Sequence, residues 1–205
     1  MALYAACRSG DDAVDESPDR VTAQRRLDEW WRGIVRAYAG RPAPGARIEL
    51  ALSWVLEDYD VPLHAFEELH AGLRSDLDAR QPADLAELLL YCRRVGGVVG
   101  LMVTSVAGYE GGEETLEDAV ALGQAMQLTN VLRDVGEDLE LGRVYLPADL
   151  MCRYGVEVSR LRSGLLDDRY VELLSHLARL AGALYSRGRK SLRRLHSGAA
   201  WEVGL

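Results

Sequence analysis

The chain reads as an all-α protein, and three observations carry that reading. Nearly every segment repeats its apolar residues with a helical period, and no stretch alternates as a strand would. Glycine- and proline-rich breakers cut the chain into helix-length pieces. At 205 residues, 48% hydrophobic and 27% charged, the composition is that of a globular domain long enough for one substantial core.

The elements follow in order. YAACRSGDDAVD (Tyr4–Asp15) has helical spacing, and GRPAPGAR (Gly40–Arg47) is a loop. Pro82 sits where a first-turn proline belongs, opening a helix from about Ala83 to Ala107. GYEGGEE (Gly108–Glu114) is a second loop, after which TLED (Thr115–Asp118) has the pattern of a capping box. The helix it starts is expected to run to about Glu140, with Gly142 near its end and Pro147 beyond. A last long helix is expected over Asp167–His196, its basic C-terminal end matched to the helix dipole.

Bulk properties exclude several classes. A net charge of −8 argues against a nucleic-acid binder, which needs a basic face. It leaves anionic ligands open, because a bound divalent cation inverts the local sign. Cys7, Cys92 and Cys152 form neither a CxxC pattern nor an even set, so no disulfide framework or thiolate metal site is indicated. A reducing, cytoplasmic setting is expected. MALYAACRSGDD lacks the basic and apolar regions of a secretory signal. The longest apolar stretch, Val95–Gly108, is interrupted by Thr104 and Ser105 and reads as too short to span a bilayer, which leaves peripheral membrane contact open.

The chemistry concentrates in QLTNVLRDVGEDLELGRVYLP (Gln127–Pro147). On a helix, Gln127, Asn130, Asp134 and Asp138 share an arc of roughly 80°. Like charges four residues apart are destabilising, and Gly136 weakens the same helix by about 1 kcal/mol relative to alanine. A single such pair is ordinarily a solvated acidic face. Here the arrangement occurs twice: Tyr4, Arg8, Asp11 and Asp15 share an arc of roughly 60° on the first helix. If the two faces oppose each other, four carboxylates converge. Unpaired, that is costly; with cations between them it is a metal site.

Oxygen-only donors without nearby His or Cys suit Mg2+, with Mn2+ as an alternative occupant. Mg2+ held by few carboxylates keeps positions for phosphate oxygens. Arg8, Asn130 and Gln127 are then phosphate contacts, and the implied chemistry is activation of a diphosphate leaving group. Loss of diphosphate leaves a carbocation, so the rest of the site should be apolar and dry. Leu88–Gly108 is a fitting lining, with Tyr91 one turn before Gly96, Gly97 and Gly100. Those glycines serve either close helix packing or a slot for a ligand chain.

YAACR with DDAVD (Asp11–Asp15), YCRRVGGVVGLM (Tyr91–Met102) and above all QLTNVLRDVGEDLELGRVYLP resemble the squalene/phytoene synthases, in wording closest to phytoene synthases. FEELHAGLRSDL (Phe66–Leu77) is similar to the segment between that family's two catalytic halves. The resemblance implies a single domain of isoprenoid-synthase fold, a helical bundle around a central cavity. It implies that two prenyl diphosphates are joined head to head through a cyclopropyl diphosphate, which then ionises and rearranges. Carried over by motif, Asp11, Asp15, Asp134 and Asp138, with Asn130, would hold the metal. Arg8, Gln127 and Asn130 would contact phosphate, and Tyr91 would assist the rearrangement or its proton transfer. Tyr4, Val95, Gly97 and Gly100 would line the prenyl channel. Arg143 and Tyr145 are weaker phosphate-side candidates, and Asp12 and Glu137 stand beside the pairs as outer or merely solvated groups.

Family members usually carry several dozen residues before the first aspartate motif, whereas Met1 lies three residues before Tyr4; AAWEVGL stops where a further helix is expected. The family's usual alanine is Gly96 here. The expected activity is Mg2+-dependent condensation of two geranylgeranyl diphosphates to phytoene without a nicotinamide requirement. The alternatives are a squalene or dehydrosqualene synthase acting on farnesyl diphosphate, and a non-catalytic relative serving as a binding or assembly factor. No GxGxxG motif is present, but that does not separate the synthases.

Overall fold

In the computed structural model, residues 2–196 are described and form eleven α-helices with one π-helical turn. They are α1 (Ala2–Asp15), α2 (Arg20–Tyr38), α3 (Arg47–Asp58), α4 (Leu63–Asp78), α5 (Leu85–Cys92), the π turn (Arg93–Gly97), α6 (Val98–Ala107), α7 (Glu113–Arg133), α8 (Val135–Glu140), α9 (Ala148–Tyr154), α10 (Val158–Arg162) and α11 (Asp168–Leu192). Among the described residues no strand forms; a lone antiparallel bridge joins Tyr109 to Leu195. AAWEVGL lies outside the described residues.

The apolar stripes of α1, α2, α3, α4 and α6 bury one cluster around Leu27, Leu52, Phe66, Leu69 and Met102. A second cluster, around Leu88, Leu128, Leu146, Leu173 and Leu177, joins α5, α7, α9 and α11. Helix α7 is central, packed against the π turn and α6 on one side and α11 on the other. Its run Asp118–Ala121 is buried on every face, as a helix enclosed by neighbours must be.

Small residues set how near those neighbours come. A Cβ on Gly96 would overlap the carbonyl oxygen of Gly123, one on Gly100 that of Ala119, and one on Gly123 that of Gly96. The glycines therefore serve backbone-to-backbone packing of the π turn and α6 on α7, and Gly96 and Gly100 also face a cavity.

Three local expectations are corrected. The helix expected from Ala83 starts at Leu85 because Asp84, not Pro82, caps it: Asp84 accepts from the Glu87 N–H at 2.9 Å, and the Glu87 carboxylate accepts from the Ala83 N–H at 2.9 Å. Thr115 is not a cap; α7 begins at Glu113, and the fully buried Thr115 hydroxyl donates to the Glu110 carbonyl at 2.6 Å. The helix expected to reach Glu140 breaks at Asp134, whose φ of −99° and ψ of 14° separate α7 from α8. The last helix ends at Leu192, within four residues of the expected end. The stretch read as too short to span a bilayer, Val95–Gly108, belongs to a longer helical run, Leu85–Ala107, that is long and apolar enough to cross a membrane by length and composition; here that run packs against α4 and α7.

Candidate active site

The site forms at the seam between the two apolar clusters. Helix α1 brings Arg8, Asp11 and Asp15 to it, α4 brings Asp76, α5 brings Tyr91, and the π turn brings Val95. From the other side α7 brings Gln127 and Asn130, the break between α7 and α8 brings Asp134, α8 brings Asp138, and the segment after α8 brings Arg143 and Tyr145. All of these line one pocket of about 320 Å3. The two acidic pairs, 119 positions apart at their nearest members by number, thus share a cavity.

The electrostatics are those of an under-neutralised acidic site. Burial, reinforced by Asp15, raises the Asp11 carboxyl to about 6. Burial also raises Asp138 to about 6; Arg143 opposes the shift, and Asp134 and Glu137 add to it. Asp134 is held below its ordinary value by Arg133, whose Nε and Nη2 each lie 2.6 Å from its carboxylate. Asp15 pairs with Arg143 at 2.9 Å. Each pair therefore has one member held by an arginine and one, Asp11 or Asp138, with no ion pair among the described residues.

The donor set fits a hard divalent cation: carboxylates with the amides of Asn130 and Gln127, and no sulfur or imidazole in the lining. Among the described residues no three acidic, His or Cys groups stand close enough to enclose a metal by themselves. A cation held there would complete its shell with water and substrate phosphate, as Mg2+ ordinarily does.

Behind the acidic pairs lies a group the sequence reading did not single out. Asp76 accepts from the Tyr145 hydroxyl at 2.7 Å and, more weakly, from the Tyr91 hydroxyl at 3.4 Å. The two rings stack with centroids 4.8 Å apart. Burial raises Asp76 to about 6, partly offset by the Tyr145 bond and Arg143. The same burial, next to the Asp76 carboxylate, raises both phenols well above their ordinary range. Arg133 was missed as well. Both lie inside quoted motifs, but neither repeats in the period that exposed the acidic stripes.

An apolar cavity of about 340 Å3 adjoins this pocket and shares Asp11, Val95 and Gln127 with it. Its walls include Leu69, Val99, Gly100, Val103, Leu122 and Leu192. Val95 and Gly100 thus stand where a channel lining was expected. Gly97 does not: it is buried, and a Cβ there would meet Val120 and Gln124 of α7. Tyr4 does not either, being 69% exposed and part of neither cavity wall. Arg8 lines the acidic pocket but is held by Asp12 at 2.8 Å, which places Asp12 beside the site as its partner. Glu137 is exposed to solvent.

The squalene/phytoene synthase family model matches residues 1–205, the whole chain. The chain belongs to the squalene/phytoene synthase family. A phytoene synthase from Thermus thermophilus is 49% identical over 97% of the chain and 66% of its own length. A 15-cis-phytoene synthase from Synechocystis is 36% identical over 98% of the chain and 63% of its own length. The chain thus spans about two thirds of the length of these relatives. Among solved structures, a dehydrosqualene synthase superposes with a TM-score of 0.87 at 34% identity, covering 97% of this chain and 68% of that one. A squalene synthase from Alicyclobacillus acidocaldarius follows at 0.84 and 25%, covering 98% and 75%. The isoprenoid-synthase fold expected from the motifs is the fold of these family neighbours.

Proposed function

We propose that this chain carries the reaction centre of a prenyltransferase that condenses two geranylgeranyl diphosphates to phytoene through a cyclopropyl diphosphate, as part of carotenoid synthesis. The observation that supports it is the adjacency of two cavities: a pocket walled by both acidic pairs shares Asp11, Val95 and Gln127 with the wall of an apolar chamber. A diphosphate head with an isoprenoid tail has that shape and polarity. The phytoene synthase relatives favour the longer substrate.

Asp11, Asp15, Asp134, Asp138 and Asn130 would hold Mg2+, or Mn2+ in its place. Bound there, the cation supplies positive charge to the departing diphosphate oxygens. The chain's own residues do the rest. Gln127 and the guanidinium groups of Arg8 and Arg143 orient the phosphates. The apolar chamber excludes water from the carbocation that ionisation leaves. Tyr91, which lines the acidic pocket and donates to Asp76, would assist the rearrangement or its proton transfer. An apolar substrate and product make contact with a membrane surface from the cytoplasmic side part of the same reading.

A second reading, condensation of farnesyl diphosphate, is favoured by the dehydrosqualene and squalene synthases among the structural neighbours. Supplying each diphosphate separately with Mg2+ and no nicotinamide cofactor decides between them. A C40 hydrocarbon is expected; an exclusively C30 product sinks the phytoene reading. Diphosphate binding indifferent to Mg2+ would favour a non-catalytic binding or assembly factor instead.

A further inference from the structure

Arg143 occupies an unusual place between the two acidic pairs. Helix α8 ends in a Schellman motif: the Gly142 N–H donates to the Leu139 carbonyl at 3.1 Å and the Arg143 N–H to the Asp138 carbonyl at 2.7 Å, with Gly142 at a φ of 77°. The motif ties the Arg143 backbone to one acidic pair. Its side chain crosses the pocket to the other, donating from Nη1 to the Asp15 carboxylate at 2.9 Å. Only 18% of that side chain is exposed, against 55% for Asp15. No other basic residue among the described ones spans both pairs: Arg8 is held by Asp12, and Arg133 by Asp134.

We infer that Arg143 is an exchangeable internal counter-ion, held by Asp15 until a divalent cation displaces it and then released to the incoming diphosphate. The inference rests on the proposed metal and diphosphate site and gives Arg143 a role within it. The argument is one of charge and reach. A guanidinium and a hydrated divalent cation compete for the same carboxylate, so the ion pair must lower the affinity of the empty site for metal. Arginine is the residue whose planar fork suits carboxylate and phosphate oxygens alike, so releasing it costs little if a phosphate receives it. The backbone anchor next to Asp138 keeps the freed side chain inside the pocket. Metal and diphosphate binding then become mutually cooperative, each strengthening the other by the same factor.

The test uses Mn2+ as the probe and reads the free-ion EPR signal of the full chain, with and without inorganic pyrophosphate. Wild type should bind Mn2+ weakly alone and about 5-fold or more tightly with pyrophosphate. Arg143→Gln should bind Mn2+ more tightly alone and gain little from pyrophosphate. Arg143→Lys, which keeps the charge, should restore the weak binding without pyrophosphate. Circular dichroism melts confirm that each variant is folded. If folded Arg143→Gln binds Mn2+ alone no better than wild type, or keeps the full gain from pyrophosphate, the counter-ion role is wrong while the metal site stands. If wild type binds no Mn2+ even with pyrophosphate, the metal site itself falls and takes this inference with it.

Discussion

Asp76 is the residue on which the site's interior turns. Its carboxylate accepts from two stacked tyrosines, so it fixes where the Tyr91 hydroxyl points. Removing the acceptor leaves two phenols to find new partners, and on the proposed function one of them, Tyr91, assists the rearrangement. Asp76→Ala should therefore lower turnover about 10–100-fold, the usual cost of losing a residue that orients a reacting group. KM for the prenyl diphosphate should change little, and the cyclopropyl intermediate should accumulate in quenched reactions, which a general loss of folding would not produce. Tyr4→Phe offers the contrast. A side chain 69% exposed and outside both cavities should leave product yield within about twofold of wild type, an expectation that follows from surface substitutions being nearly neutral.

At the scale of elements, the decisive contact is the π turn and α6 against α7. Gly96, Gly100 and Gly123 let the two backbones meet with no side chain between them. A methyl group at Gly123 has the Gly96 carbonyl in its path, and no flexible side chain is there to give way. Gly123→Ala should cost about 1–3 kcal/mol, measured as a drop in denaturation midpoint. Because the same contact positions Val95 and Gln127, the activity that remains should fall further than stability alone explains. Gly136→Ala is the counterpart: nothing lies near that position, so an added methyl should be neutral or stabilising by up to about 1 kcal/mol.

For the molecule as a whole, the acidic seam sets the pH dependence of stability. Asp11, Asp76 and Asp138 are each raised to about 6 from an ordinary 3.8. A carboxyl that binds its proton more tightly when folded stabilises the fold fully below its unfolded pKa, and that stability is lost as pH rises through the folded pKa. The depressed carboxyls, Asp19, Glu49, Asp134 and Asp167, act in the opposite sense but below their ordinary values, outside this window; His70, held below its ordinary 6.5 by burial, opposes the trend within it as one group against three. The melting temperature of the metal-free protein should accordingly rise between pH 7 and pH 5. Mg2+ with pyrophosphate should raise it more at pH 7, where the carboxylates are charged, than at pH 5. A profile flat across this interval, with no ligand effect, would refute the account of an under-neutralised seam.

The all-α class and the spacing of the acidic pairs were legible in the chain because helical period is a local property, and even across the break between α7 and α8 the Asp138 N–H still donates to the Asp134 carbonyl. The family followed from motif wording for the same reason, since those words are written in consecutive residues. Proximity across the chain has no such local signature. Asp76 meeting Tyr91 and Tyr145, Arg143 reaching Asp15, Gly97 turned toward α7 and Tyr4 left in solvent all depend on which helix faces which. Packing alone decided them, because a contact between distant residues is settled by the approach of whole backbones, here through Gly96, Gly100 and Gly123.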